Sequence, residues 1–178
     1  MSNGKKQKTY ILLGIPALFL VGGLFHFLYS LSGEAYPVGL IAPVNESIFE
    51  HTKMAALPVF LWWGVLYLAD KKNLRRDPWF TGALLSMVVT IVSIPLLYYF
   101  YTGAFGADNP IADALVFLAA LTLGQLAGLH CYRHGGGMDY RIAILLMLTI
   151  LIIFAVFTVD PPRLPIFRDP RNGSSGIT

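Results

Sequence analysis

The stretch Ala42-Pro43-Val44-Asn45-Glu46-Ser47-Ile48-Phe49-Glu50-His51-Thr52-Lys53 crowds polar and ionisable side chains directly against a long apolar run. Within it, Ser47-x-x-Glu50 matches the capping box that begins many helices. In that box a serine hydroxyl and a glutamate carboxylate each accept a hydrogen bond from a backbone N–H of the first turn. The pattern predicts a helix that starts here and continues through apolar residues 54–69.

Length and composition place the chain in a membrane. Of its 178 residues, 56% are hydrophobic and 13% are charged, which is too apolar for a soluble domain of this size. A helix needs ~20 apolar residues to cross the bilayer core. Five runs come close to or exceed that length, over residues 9–31, 47–69, 79–101, 111–130 and 141–159. The predicted fold class is all-α: one domain, a polytopic membrane protein with five transmembrane helices.

Two further segments lie outside these runs. Residues 32–43 are apolar but interrupted by proline and glycine, which predicts an interfacial loop before the second helix. Residues 160–178 are rich in proline and predict an extended tail rather than a helix. Asn172-Gly173 within that tail is typical of a turn.

Lysine and arginine predict the orientation, because cytoplasmic loops carry an excess of them. A cytoplasmic N-terminus puts nine of the 13 basic residues inside and leaves four outside. The inner nine are Lys5, Lys6, Lys8, Lys71, Lys72, Arg75, Arg76, Arg133 and Arg141, and the outer four are Lys53, Arg163, Arg168 and Arg171. We therefore expect an N-in, C-out protein. Topology accounts for the net charge of +3, so we expect no nucleic acid as a partner.

Four ionisable residues are candidates for catalysis: Glu46, Glu50, His51 and His26. Ionisable side chains near membrane depth are costly and usually functional. Like charges held close together raise the pKa of one carboxylate towards neutrality, which suits general acid–base work. At 100° per residue, Glu46 and Glu50 share one helix face, whereas His51 points ~100° away from Glu50. The expected pair is therefore Glu46 with Glu50.

The predicted topology brings further polar residues to the same outer face. Asn45, Asp113, Tyr98 and Asp160 are candidates for binding. A divalent metal is compatible with this face, held by His26, Glu46 and Glu50, but the spacing is not His-Glu-x-x-His and does not require a metal. His130 and His134 share a helix face at the inner end, but without a third ligand nearby in sequence they predict no metal site.

The fourth predicted helix differs from the others in its small side chains, which let a neighbouring helix approach closely and predict a central, buried position. The small residues are Ala119, Ala120, Gly124, Ala127 and Gly128. Gln125 is a polar side chain in the inner half of the same helix. It predicts an interhelical hydrogen bond rather than a ligand.

Two motifs give the chain a family resemblance. Pro43-Val44-Asn45-Glu46-Ser47-Ile48-Phe49-Glu50-His51 and the pattern Pro-Pro-x-Leu-Pro-x-Phe-x-Asp-Pro over Pro161 to Pro170 resemble signatures of small multispan bacterial membrane proteins of unknown function. The resemblance extends over nearly the whole chain in the layout of its spans. It implies a bacterial cytoplasmic membrane and a shared site on the outer face, and it implies no particular activity.

Three functions are compatible with the sequence. The first is a membrane enzyme with an outward-facing site that acts on a lipid or lipid-linked substrate, with the tail as a lid. The second is an ion- or proton-coupled transporter or channel component, although no polar path crosses the spans and a pore would need an oligomer. The third is a noncatalytic membrane partner protein in which the motif only caps and pins a helix. Membrane lipids are expected partners in each case.

Overall fold

The computed structural model describes residues 3–106 and 109–177, and these are helical with short connections. Thr178, the last residue of the predicted tail, lies outside the described residues. Five helices are long and apolar enough to cross a membrane. In chain order the helices are α1 (Asn3–Leu31), the one-turn α2 (Tyr36–Gly39), α3 (Ile48–Asp70), α4 (Arg76–Phe105), α5 (Pro110–His134) and α6 (Tyr140–Val159), followed by a 3₁₀ turn over Pro165–Phe167. The predicted all-α fold with five membrane-length helices is confirmed.

The long helices run alternately up and down, which gives the bundle two ends. At the first, here called the Leu31 end, α1, α4 and α6 finish and α3 and α5 begin. The opposite end is called the basic end, since it carries the nine basic residues predicted to be cytoplasmic. There Lys6 forms an ion pair with Asp70 at 3.1 Å, and the Gln7 side chain donates to the Asn73 carbonyl. The orientation of these ends relative to a membrane stays a prediction.

The surface of the bundle fits a hydrocarbon environment. Large apolar side chains on all five long helices are more than half exposed, among them Leu24, Leu68, Leu96, Leu115 and Leu145. A soluble protein rarely leaves so much apolar surface in contact with water. A helix satisfies its backbone groups internally, as a bilayer requires, and Pro16, Pro58 and Pro95 each remove one such hydrogen bond within α1, α3 and α4.

Polar side chains inside the bundle pair with one another between helices. Trp63 of α3 donates from Nε1 to Gln125 Oε1 of α5 at 3.2 Å, and Trp79 of α4 donates to the Trp63 carbonyl at 3.0 Å. All three side chains are buried. The interhelical hydrogen bond predicted for Gln125 is confirmed.

Helices α4 and α5 approach closely because glycines face each other across their contact. A Cβ on Gly128 would lie 2.7 Å from the Gly82 carbonyl, and one on Gly82 would lie 2.8 Å from the Gly128 carbonyl. Helix α5 also packs on α1, where a Cβ on Gly22 would meet the Phe117 ring. Helix α5 thus lies between α4, which its glycines contact, and α1, where the glycine belongs to α1.

The tail is only partly extended, so that prediction is wrong for its middle section. Residues Pro165–Phe167 form a 3₁₀ turn, for which proline at the first position has a suitable φ. Burial explains the turn, since the Phe167 ring packs at 4.4 Å from the Phe49 ring of α3. The turn predicted at Asn172-Gly173 is present, with Gly173 at φ +74° and its N–H donating to the Asp169 carbonyl.

We expect Gly124→Ala to destabilise the bundle by about 1–3 kcal/mol, because the new methyl group would lie 2.6 Å from the Ser86 carbonyl. Gly64→Ala is the matched control, since nothing lies within 4 Å of a Cβ there. Alanine is the better helix former, so this control should be neutral or stabilising by up to about 1 kcal/mol. Unfolding in mixed detergent micelles measures both. Equal stability of the two variants would contradict this α4–α5 packing.

Candidate functional site

Helix α3 begins with half of the predicted capping box. Ser47 is the N-cap residue, and its hydroxyl accepts the Glu50 N–H at 3.3 Å. The other half is replaced, because Asn45 Oδ1 rather than Glu50 accepts the Ser47 N–H at 2.9 Å. The Glu50 carboxylate is thereby released from capping and turns into the bundle.

Glu50 forms a buried ion pair with Lys53, one turn further along α3. The Lys53 Nζ lies 2.6 Å from Glu50 Oε2, and the two side chains are 2% and 1% exposed respectively. Removing two charges from water costs several kcal/mol per ion, and only good geometry with further hydrogen bonds offsets it. The further hydrogen bonds of Glu50 and Lys53 therefore show which other segments of the chain the pair fixes.

The pair ties together three segments that are distant in sequence. Lys53 Nζ donates to the Gly39 carbonyl of α2 at 2.7 Å and to Thr158 Oγ1 of α6 at 2.8 Å. Glu50 accepts the Val44 N–H at 3.0 Å, and its other carboxylate oxygen lies 3.0 Å from the Thr158 hydroxyl. The loop between α2 and α3 is therefore held by the buried pair at Val44, two residues before Glu46.

Glu46 contacts two histidines and not Glu50, so the pairing expected from the helical wheel is wrong. Glu46 precedes the N-cap, and the 100° spacing of a helix does not apply to it. Its Oε2 lies 3.3 Å from His51 Nε2, and its Oε1 lies 3.7 Å from His26 Nε2 of α1. The two imidazole rings stack, with centroids 5.4 Å apart. We call His26, Glu46 and His51 the His-Glu-His cluster.

The His-Glu-His cluster has the size of a metal site. One ligand atom from each residue lies within 4.8 Å of the others, and no further such group occurs among the His, Cys, Asp and Glu side chains that the structure describes. Zinc bonds to nitrogen and oxygen of 2.0–2.2 Å put neighbouring tetrahedral ligands about 3.3 Å apart. The contact between His51 and Glu46 already has this length. His51 thus takes the place that sequence reasoning gave to Glu50 in the metal set.

His26 Nδ1 is buried and has no hydrogen-bond partner. Unpaired buried polar atoms are rare in native proteins, and they occur where water or an ion completes the site or where chemistry takes place. His26 contacts Glu46 through Nε2, so the unpartnered Nδ1 is not the nitrogen of that contact.

Glu46 is held in its charged form. The hydrogen bond from His51 lowers the pKa of the Glu46 carboxyl below its usual value of 4.5, and the electrostatic influence of His51, His26 and Arg171 adds to this effect. Partial burial acts in the opposite direction but is outweighed. An ionised carboxylate beside two imidazoles is the form that binds a metal ion.

The C-terminal tail reaches the same cluster. Asp169 Oδ2 accepts the Glu46 N–H at 3.0 Å, and Arg171 NH1 lies 3.3 Å from Glu46 Oε1. Asn45 Nδ2 donates to the Gly176 carbonyl at 3.3 Å. Glu46 is thus positioned by two sets of contacts: those of its own loop with Glu50, and those of its backbone with Asp169 of the tail.

The other residues singled out in the sequence lie at several places around the bundle. Asp113 of α5 accepts a hydrogen bond from Tyr101, and Tyr98 packs edge-on against the Tyr101 ring. Asp113 and His26 each lie one turn from the Gly22–Phe117 contact, towards the Leu31 end. Asp160 is the C-cap of α6 and is exposed.

His130 and His134 end α5 at the basic end, and both are exposed. Their rings lie 4.5 Å apart, and His134 Nδ1 contacts the His130 carbonyl at 3.1 Å. Neither belongs to a group of three ligands among the residues described.

An apolar groove of about 370 Å³ opens between α3, α4, α6 and the tail. Phe49, Ile91, Leu96 and Ile166 are among its lining residues. Phe49 and His51 are two residues apart and point about 200° away from each other on α3. The groove and the His-Glu-His cluster therefore lie on opposite faces of that helix.

Sequence reasoning missed three residues around the cluster: Thr158, Asp169 and Arg171. A signal existed for Asp169, which is part of the tail motif ending at Pro170. Phe167, which anchors the tail, belongs to the same motif. Nothing in the local sequence marks Thr158 or Arg171, because their contacts with Glu50 and Glu46 join residues far apart in sequence.

Five membrane-length helices with an ionisable cluster at one end define a multi-helix protein of the membrane-spanning type. Comparison with protein-family models matches residues 1–177 to a family of unknown function, DUF6512. The chain belongs to this family, in agreement with the resemblance noted in its sequence. Neither the curated proteins nor the solved structures searched contain a match.

We expect Lys53→Met to cost about 3–5 kcal/mol of unfolding free energy, because it leaves the Glu50 charge buried and uncompensated. The double variant Glu50→Gln/Lys53→Met should cost clearly less than the sum of the single variants. Lys72→Met at the exposed basic end is the control and should change stability by about 0.5 kcal/mol or less. Unfolding in detergent measures the four variants. The role of the pair would be contradicted if the changes in unfolding free energy of the two single variants added up to that of the double variant. It would also be contradicted if Lys53→Met cost no more stability than Lys72→Met.

Proposed function

We propose that the protein is a metal-dependent membrane enzyme that hydrolyses a lipid or lipid-linked substrate at the Leu31 end. The observation that carries the proposal is the convergence of His26, Glu46 and His51, with one ligand atom from each within 4.8 Å. Two histidines and one glutamate are a ligand set of catalytic zinc sites, which keep a fourth position open for water.

Access to the cluster supports a catalytic rather than a purely structural role. The three side chains are each 26–28% exposed, so a substrate can reach them. Structural zinc sites are closed by four protein ligands. Here the structure supplies three ligands and an exposed side.

A zinc-class metal bound in this cluster would lower the pKa of a bound water to about 7 and polarise the bond to be broken. In the hydrolysis, the water oxygen bonds to the acyl or phosphoryl centre, the ester bond breaks, and a water proton passes to the leaving group. His26, Glu46 and His51 hold the ligand atoms in place. Asp169 fixes the Glu46 backbone, and the buried Glu50–Lys53 pair fixes the loop beneath it.

The depth of the cluster supports a membrane substrate. Leu31 ends α1 five residues beyond His26, which puts the imidazole about 7 Å below the helix end. In a helix that spans the bilayer, a site this near the helix end lies towards the lipid headgroups. The nine basic residues at the opposite end support the extracytoplasmic face of a bacterial cytoplasmic membrane as the location.

Transport through one chain receives less support. Beyond the cluster, the long helices carry no Asp, Glu, Lys, Arg or His over residues 9–25, 54–69, 78–105, 114–129 or 142–159. An ion would meet no charged side chain over most of the bilayer. The noncatalytic alternative accounts for the Glu50–Lys53 pair but offers no reason for an exposed His-Glu-His cluster.

We expect the purified protein to bind one zinc ion per chain, and His26→Ala, Glu46→Gln and His51→Ala to weaken binding by more than about 10-fold, since even an outer-shell residue contributes about 10–100-fold. His130→Ala is the matched control, because that imidazole is exposed at the other end. Isothermal titration in detergent with metal analysis measures the affinity, and release of alcohol from a fluorogenic lipid ester or phosphoester measures hydrolysis.

Two results would overturn the proposal. One is a wild-type protein that binds zinc no better than its three cluster variants. The other is stoichiometric zinc binding with no hydrolysis of any ester, which would leave a metal-binding protein but remove the enzyme. A cluster variant is informative only where its unfolding curve matches that of His130→Ala.

A further inference from the structure

Residues 168–175 of the tail form a loop held by hydrogen bonds, and Arg171 lies within it. A β-bridge joins Arg168 to Ser175, the Asp169 N–H donates to the Ser174 carbonyl, and the Asp169 side chain accepts the Arg171 N–H at 2.8 Å. Ser174 is held in turn by Asn172 Oδ1. The Arg171 backbone therefore has a defined position.

That position is beside the cluster. The same Asp169 side chain accepts the Glu46 N–H through its other oxygen, so one carboxylate links the Arg171 backbone to the Glu46 backbone. The guanidinium reaches Glu46 Oε1 at 3.3 Å, yet the Arg171 side chain is 71% exposed. An ion pair this exposed contributes little to stability. A guanidinium carries five N–H donors, and the contact of Arg171 with Glu46 is made through NH1.

The charges around the His-Glu-His cluster indicate what kind of ligand the Arg171 guanidinium would bind. A divalent cation held by His26, Glu46 and His51 would neutralise Glu46 and repel the guanidinium of Arg171 from it. The entrance would then carry net positive charge, with a metal coordination position and a forked donor side by side. Arginine is well suited to a planar, bidentate contact with phosphate or carboxylate.

We propose that the substrate carries a phosphate group next to the bond that is broken, and that Arg171 binds this phosphate. The inference rests on the proposed function, since it needs a cation in the cluster. Phosphate is chosen because it is the oxyanion present in the headgroups at this depth of a membrane. The shared chemistry has two sources, a phospholipid headgroup or a free phosphate compound.

The test uses the full chain in detergent, loaded with zinc and titrated with inorganic phosphate. We expect Arg171→Gln to weaken phosphate binding by about 10-fold or more, which is the loss of one charge-assisted hydrogen-bonded contact. Its zinc affinity should match or exceed that of wild type, because Arg171 competes for Glu46. Arg171→Lys should be intermediate, since it keeps the charge but loses the fork. Arg163→Gln, an exposed arginine elsewhere in the tail, is the control.

The same protein in nanodiscs distinguishes the sources. If the headgroup is the ligand, phospholipid discs compete with inorganic phosphate and discs of a phosphate-free glycolipid do not. If a free compound is the ligand, phosphate binds equally in both. Zinc binding with equal phosphate affinity in wild type and Arg171→Gln would overturn the inference and leave the proposed function intact. Failure to bind zinc would overturn both.

Discussion

The buried ion pair between Glu50 and Lys53 is the interaction on which the site depends. Two charges buried away from water are stable only when their other hydrogen-bond donors and acceptors also have partners. For Glu50 and Lys53 those partners come from α2, the following loop and α6. Satisfying one pair therefore brings three separate segments to the N-terminus of α3. The constraint fixes where the chain turns into that helix and hence where Glu46 stands.

Glu46 in turn is a carboxylate that faces basic side chains from different parts of the fold. His51 comes from the helix that Glu50 and Lys53 anchor, His26 from α1, and Arg171 from the tail. None of these contacts alone would hold an ionised group at the edge of a membrane. Together they lower the pKa of the carboxyl, and its side chain stays 26% exposed.

Much of the fold could be predicted from the sequence, because hydrophobic length alone specifies helices that cross a bilayer. Ser47 marked the start of α3 within one residue, and Gln125 was correctly interpreted as an interhelical contact. Pairing inside the site was not predictable in the same way. Glu46 lies one residue before the N-cap, where helical periodicity no longer applies, so the wheel assigned it to Glu50 instead of to His26.

The conformation of the tail could not be predicted from local sequence, because its proline content indicates an extended chain. The proline at residue 165 instead begins a turn, because burial of Phe167 against α3 outweighs solvation of an extended segment. Contacts such as that of Arg171 with Glu46 join residues far apart in sequence, and no local pattern encodes them. The two motifs of the family resemblance, one before α3 and one in the tail, are a signal that could have linked these segments, because the second contains Asp169.

The central claim is that His26, Glu46 and His51 form one metal centre, and X-ray absorption of the zinc-loaded protein tests it most directly. We expect two imidazole nitrogens and one carboxylate oxygen at about 2.0–2.2 Å from the zinc, with one further exchangeable oxygen. The imidazole signal should fall to one ring in His51→Ala. A zinc shell made of oxygen alone, without imidazole scattering, would contradict the account.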